Sequence, residues 1–460
     1  MSKQESTLVS CSIGTPDGAW MMENSESGER LTRYVSAREN NVRLVVKNSG
    51  HDFVGRSSGG RSLSIWVHHI KGATIHEGSF RPQGCGHDVE IEGTAMTILG
   101  GSQMTEIYSA ADGVGHVPIG ANGRSVAIGG FITGAGHSII SPHYGLAVDH
   151  VLEMEVVTPL GEILTLNECQ NTDLFWAIRG VRFFFDCHCL SGLTSEFSKQ
   201  GGASTFGVVT SVTMTIFPSP KVLSLDFAIS GLADNPNAFS MLAYVLSRFP
   251  ALDRAGISGY PLIIRNTTGI RPGMRVTGIM GKLIMLNVTE PAALMEHLDP
   301  IRAYINETWK GEFTYGGQTT MYDSFYQWYE VNYDHSPAGY NSVMASRLLD
   351  AEALEGDQNS EGLSDALDAF AQGDLNTVFL VAGQGTWKSK PRGGGNAVAP
   401  AWRKAVVHAS KLMVRSKNGE SRRANGLHCS CHNWLQLVRC GSKDECHRID
   451  QFLRRGVEEY

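Results

Sequence analysis

Short apolar runs cut by glycine-rich stretches fill the first half of the chain, and longer amphipathic segments fill the second. Arg43-Leu44-Val45-Val46 has the β-branched character of a short buried strand, and Val151–Val157 predicts another. Residues 104–111 predict a helix, because Ile107 and Ala111 fall on one face. After Pro218 the pattern lengthens. Phe239, Leu242, Val245, Leu246 and Phe249 repeat at helical spacing. Residues 257–264 and 276–286 read as strands, 293–305 as a helix interrupted by Pro300, and 377–381 as a final strand. Strands with helices gathered on one side predict an α+β unit here.

Residues 45–60, VVKNSGHDFVGRSSGG, stop an apolar run at a histidine set among glycines and serines. Gly50, Gly55, Gly59 and Gly60 end the strand, and a glycine-rich loop can turn its N–H groups toward a phosphate. Arg56 can add charge, and Ser49, Ser57 and Ser58 can donate hydrogen bonds. Spacing alone leaves this open between an anion-binding loop and a polar turn carrying a surface histidine. A second loop, 120–136, carries six glycines. Its Gly134-Ala135-Gly136 follows no apolar strand and opens no clear helix, so an NAD-type dinucleotide fingerprint fails its context.

Composition narrows the classes. With 460 residues, 42% hydrophobic and 18% charged, the chain can bury two or three cores. A net charge of −7 argues against nucleic acid. No run approaches the ~18 apolar residues of a membrane span, and the N-terminus lacks a basic-then-apolar leader. Localisation stays open, because three glycosylation sequons, at Asn266, Asn287 and Asn306, hint at secreted ancestry. Six of the nine cysteines sit in two windows, 187–189 and 429–446.

Several stretches resemble the berberine bridge enzyme-like branch of the vanillyl-alcohol oxidase flavoproteins. They are VRLVVKNSGHDFVGRSSGGRSLSIWVHHIK, NGRSVAIGGFITGAGHS, YGLAVDHVLEMEVVTPLGEI, TDLFWAIRG, GGASTFGVVTSVT and PAWRKAVVHA. The resemblance implies a two-lobed PCMH-type FAD-binding domain with an antiparallel-sheet cap over the flavin. By it, FAD-binding residues are Gly50, His51, Asp52, Gly55, Arg56 and Ser57 in a first pyrophosphate loop. Ser125, Gly129, Gly130, Gly134 and His137 follow in a second loop, and Phe206, Gly207, Val208 and Val209 line the adenine end. Val208 and Val209 fit a plain core strand equally well. His51 matches the histidine that bonds covalently to the flavin 8α methyl. Where many relatives carry a second, cysteinyl link, Gly123 stands, so that link is absent. The implied partners are a small-molecule substrate and dioxygen, and the implied chemistry is hydride removal from a C–H bond beside oxygen or nitrogen, in secondary metabolism.

Tyr322, Tyr326, Trp328, Tyr329 and Tyr333 are candidates for the substrate wall, and Tyr322, Tyr326 and Tyr329 for a catalytic base, although an aromatic stripe is more often core than active site. The expected division is 1–218 for the FAD domain, 219–380 for the cap, 381–409 for a return to the FAD domain and 410–460 for an aberrant tail. Deleting 181–200 restores a continuous family pattern, and the codons allowed at its ends permit splice signals, so it reads as a retained intron, with a surface loop as the alternative. The tail lacks the family's closing segment, and the start looks short by a strand and most of a helix. Cys429, Cys431, His432, Cys440, Cys446 and His447 imitate a zinc site with irregular spacing, and no metal is expected. The competing expectation is an inactive flavin-fold protein from an altered transcript.

Overall fold

A computed structural model describes residues 19–21, 40–53, 55–180, 205–339, 342–355, 360–373 and 375–414. The segment 181–200, the tail beyond 414 and the start of the chain apart from Ala19–Met21 lie outside the described residues.

The strand expected at 43–46 forms as Arg43–Lys47 and pairs in parallel with Ser62–Trp66. Parallel neighbours cannot be joined by a tight turn. Residues 48–61 must therefore leave one end of the sheet and travel back to the other, and His51 rides on that crossover. A five-stranded antiparallel sheet packs against this pair. Its order is Ile163–Asn167, Val151–Val157, Val208–Thr215, Ala95–Leu99, Ala73–His76. The two sheets meet in an apolar cluster of Ile65, Val67, Ile70, Val157 and Val208. A larger core, with Met96, Ile98, Val156 and Val212 from the same sheet, packs on the helix Met104–Asp112.

The second half is built on a seven-stranded antiparallel sheet. Its order is Thr314–Tyr322, Val222–Leu232, Met274–Leu286, Ile257–Arg271, Leu375–Phe379, Ala405–Val414, Ser342–Asp350. The helices Ala238–Ser247, Phe249–Arg254, Ala292–Thr308 and Ser360–Phe370 accompany it and share its core. The fold is thus α+β, as expected.

Three expectations need correction. Pro300 does not interrupt its helix, which runs unbroken over Ala292–Thr308. The ring is on the exposed side, while Leu294, Ile301 and Ile305 bury the opposite stripe, and that packing outweighs one lost backbone bond. The strand at 375–379 is not the last, because Ala405–Val414 pairs with it in the same sheet. Residues 405–414 therefore complete the cap sheet rather than return to the first unit or begin an aberrant tail.

Contact between the halves comes from the preceding segment. Arg403 donates to both oxygens of Asp149 at 2.7 and 2.8 Å, and Asn396 donates to the same carboxylate at 2.8 Å. Burial alone pushes the Asp149 carboxyl up, but Arg403 overrides this and holds it below the usual carboxylate range. Cys85 and Cys169, outside both cysteine windows, form a disulfide across 84 residues. Among the described residues no helix is long and apolar enough to cross a membrane.

Candidate functional site

The crossover loop keeps its shape through backbone that only glycine adopts cheaply: Gly50 has φ +92° and Gly55 φ +81°. Asp52 accepts hydrogen bonds from the Arg56 backbone N–H and from its guanidinium, at 3.0 and 3.2 Å for the latter. Arg56 is therefore tied into its own loop, its charge already paired. Ser57 is half-buried beside it. The imidazole of His51 leaves the loop toward Ser125, with Nε2 2.8 Å from Ser125 Oγ. Burial lowers the basicity of His51, and the Asp334 carboxylate works against that fall.

The second loop is anchored from below. Gly129 N–H donates to Gly100 O, and Gly100 N–H donates to Thr210 O at 2.7 Å. A Cβ on Gly100 would lie 2.3 Å from Val209 O, and one on Gly207 would lie 2.8 Å from Val157 O. Gly130 and Gly134 face outward from the short helix Ile128–Thr133 and its end. Val208 and Val209 are buried and belong to the two cores, so of the open alternatives they take the core-strand one. Phe206, half-buried, stays available at the rim.

His137 closes the second loop and faces the cap. Its ring lies 5.4 Å from that of His408, 6.2 Å from Trp402 and 6.2 Å from Phe379. Tyr260 packs edge-on to Phe379 at 4.7 Å. Burial lowers His137 to about 4, and burial followed by the neighbouring His137 lowers His408 to about 3. Both are neutral at pH 7. Burial raises Tyr260 strongly, so its phenol stays protonated. A wall of neutral imidazoles and phenols can accept and donate hydrogen bonds without carrying charge.

The expected aromatic wall is only partly there. Tyr329 and Trp328 are fully buried, and Tyr329 packs on Tyr108 at 4.4 Å. They face the core of the first half, because the helix Phe325–Asn332 turns its apolar side that way. Tyr329 is pushed up to about 12 by burial and is unsuited to act as a base. Tyr326 is half-buried beside it, and the Tyr322 hydroxyl accepts a hydrogen bond from Asn332 at 3.3 Å. Tyr260 and His408 were missed by sequence. Each reads as an ordinary strand residue, and only the packing of the second loop on the cap sheet brings His137 to His408 and Phe379, on which Tyr260 packs.

These residues suit an FAD. The glycines leave open space above Gly55, Gly60 and Gly130, where a Cβ would meet nothing within 4 Å. Buried polar atoms without a protein partner line the same elements: Asn48 Oδ1, Asn122 Oδ1, His137 Nδ1 and His408 Nδ1. Such atoms call for a polar ligand or water.

Comparison with known proteins agrees. Residues 26–167 match the family model described as an FAD binding domain. An uncharacterised FAD-linked oxidoreductase of Arthroderma benhamiae is 33% identical over 388 residues, covering 83% of this chain and 61% of that protein. The chain thus spans about three fifths of the length of that curated relative. A VAO-type flavoprotein, MtVAO713 of Myceliophthora thermophila C1, shares the fold with a TM-score of 0.78 at 24% identity, covering 94% of this chain and 73% of that one. Glucooligosaccharide oxidase of Acremonium strictum, whose FAD is 6-S-cysteinyl and 8α-N1-histidyl, also shares it, with a TM-score of 0.63 at 13% identity, covering 91% and 79%.

Proposed function

We propose that this chain is a member of the vanillyl-alcohol oxidase-type, PCMH-type superfamily of FAD-binding proteins and, on that premise, an FAD-dependent oxidase. Its substrate is a small molecule with a C–H bond beside oxygen or nitrogen, its electron acceptor is dioxygen, and its setting is secondary metabolism. FAD, when bound, supplies the site that takes up the hydride. The observation that carries the proposal is the meeting of the two glycine-rich loops at His51 and Ser125, with His137 of the second loop packed against Phe379, Trp402 and His408.

In this proposal the two loops hold the pyrophosphate with backbone N–H groups, and His51 forms the covalent attachment. Gly123 offers no thiol for a second link. His137 and His408, neutral at pH 7 because burial disfavours their charged forms, hydrogen-bond and orient the substrate. The aromatic faces of Phe379 and Trp402 orient the substrate and exclude water.

The test is an absorption spectrum of the purified protein together with peroxide formation over a panel of alcohols, amines and sugars. A yellow protein forming peroxide with at least one class is expected. A colourless folded protein after loading with FAD would overturn the cofactor assignment. Bound flavin without peroxide, but reduced by substrate, would overturn the oxidase part alone.

A further inference from the structure

Ser125 is held in place from three directions. Its carbonyl accepts from Gln103 Nε2 at 3.0 Å, and the neighbouring carbonyls of Arg124 and Val126 accept from Thr105 and Met104 at 3.2 and 2.9 Å. Those donors belong to the start of the helix Met104–Asp112, so the loop is clamped to a rigid element. From the cap side, Gly123 bridges to Asp334 in parallel, and Asp334 N–H donates to Asn122 O at 3.0 Å. Arg124 donates to the Tyr333 hydroxyl at 2.9 Å and lies over that ring at 4.9 Å. The segment 332–334 of the cap is thus strapped to the loop that carries Ser125.

The hydroxyl of Ser125 meets His51 at Nε2, across 74 residues of chain. That contact leaves Nδ1 as the second ring nitrogen, a donor or an acceptor according to the tautomer. Which nitrogen carries the proton is set by the bond the other one makes.

We propose that Ser125 positions His51 for covalent attachment of the flavin, holding Nε2–H so that Nδ1 forms the bond to the 8α carbon, with Asp334 of the docked cap supporting the arrangement. This rests on the attachment through His51 proposed above. Attachment forms an N–C bond at Nδ1 and breaks one C–H bond of the 8α methyl group. The second proton lost is the imidazole N–H, which leaves from Nε2 by way of the Ser125 hydroxyl. Dioxygen takes up the two electrons and two protons as hydrogen peroxide, which balances the step. The Asp334 carboxylate favours the cationic ring that exists once the N–C bond has formed and before the Nε2 proton leaves, and its segment of the cap is the one strapped to the loop.

The experiment separates total flavin from acid-stable flavin in the full chain loaded with FAD. Wild type should keep its flavin on acid precipitation, and His51→Ala should release all of it. Ser125→Ala should lower the acid-stable fraction about tenfold while total flavin stays within about a factor of two, the scale of one lost hydrogen bond. Ser125→Thr should restore it, and Asp334→Asn should give an intermediate loss. A merely structural Ser125 would lower total and acid-stable flavin together. An independent check needs no variant: the flavinyl peptide from wild type, analysed by NMR, should carry the bond at Nδ1. A bond at Nε2, or full attachment in Ser125→Ala, would overturn the inference. Flavin released from wild type as from His51→Ala would instead overturn the attachment on which it rests.

Discussion

Replacing Arg403 with methionine tests how far one charge pair holds the two halves together. In the native protein Asp149 receives Arg403 at 2.7 and 2.8 Å, Asn396 at 2.8 Å and the Leu146 N–H at 3.0 Å. The Asp149 side chain is 1% exposed and that of Arg403 24%. Methionine keeps much of the stem volume but leaves the carboxylate buried with two neutral donors. Removing one partner of a buried pair costs about 3–5 kcal/mol. The lower end, about 3 kcal/mol, applies here because Asn396 and Leu146 remain and Arg403 is partly solvated. The sign with pH follows from the depressed carboxyl of Asp149. Its contribution is complete above the ordinary carboxylate pKa and is lost as pH falls through the depressed folded value. In the variant burial lifts the carboxyl and it protonates at higher pH than in wild type, so the gap should narrow as pH falls from about 7 to about 4. Adding Asp149→Asn removes the stranded charge and should recover about 2 kcal/mol. Urea unfolding followed by tryptophan fluorescence at about pH 7 and pH 4 measures Arg403→Met, Asp149→Asn and the double variant beside wild type. A loss below about 1 kcal/mol, an equal loss at both pH values, or strict additivity would refute the reasoning.

Two further outcomes are expected. Breaking the Cys85–Cys169 disulfide with serines frees a separation of 84 residues, which the chain-entropy relation values at about 4–5 kcal/mol; an unchanged melting temperature would contradict this. Burial holds His137 at about 4 against 6.5 for an ordinary histidine, so the unfolded chain binds the extra proton between those values. Stability should fall as pH drops through that window, by up to about 1.4 kcal/mol per pH unit, and melting curves of His137→Asn should show a shallower fall.

How much of this was legible depended on distance along the chain. The strands at 43–46 and 151–157, the helix at 104 and both glycine-rich loops could be read, because periodicity and glycine punctuation are local signals. Ser125 could be assigned to a loop but not to His51, 74 residues away. Cys85 and Cys169 looked solitary because a disulfide across 84 residues has no spacing signature, while the conspicuous cysteine windows drew notice. Arg403 sits in a matched motif, yet its partner Asp149 is 254 residues upstream. Tyr329 stayed open for a different reason. An aromatic stripe at helical spacing buries equally well in a core or along a pocket, and only the packing of Tyr108 against it decides.

The place of Ala405–Val414 between Leu375–Phe379 and Ser342–Asp350 has a bearing on biosynthesis. Among the described residues Ser342–Asp350 has no other strand to pair with, so it must wait for a segment made roughly 60 residues later. At ~5–20 residues per second the delay is about 3–12 s, far longer than a hairpin needs to form. The first half can fold on the ribosome, with both loops already shaped. The cap must stay open at one edge until its last strand emerges, and Arg403 arrives in the same stretch. Until then an unpaired edge and a buried carboxylate site stand exposed together, and this interval is when a chaperone has most to guard.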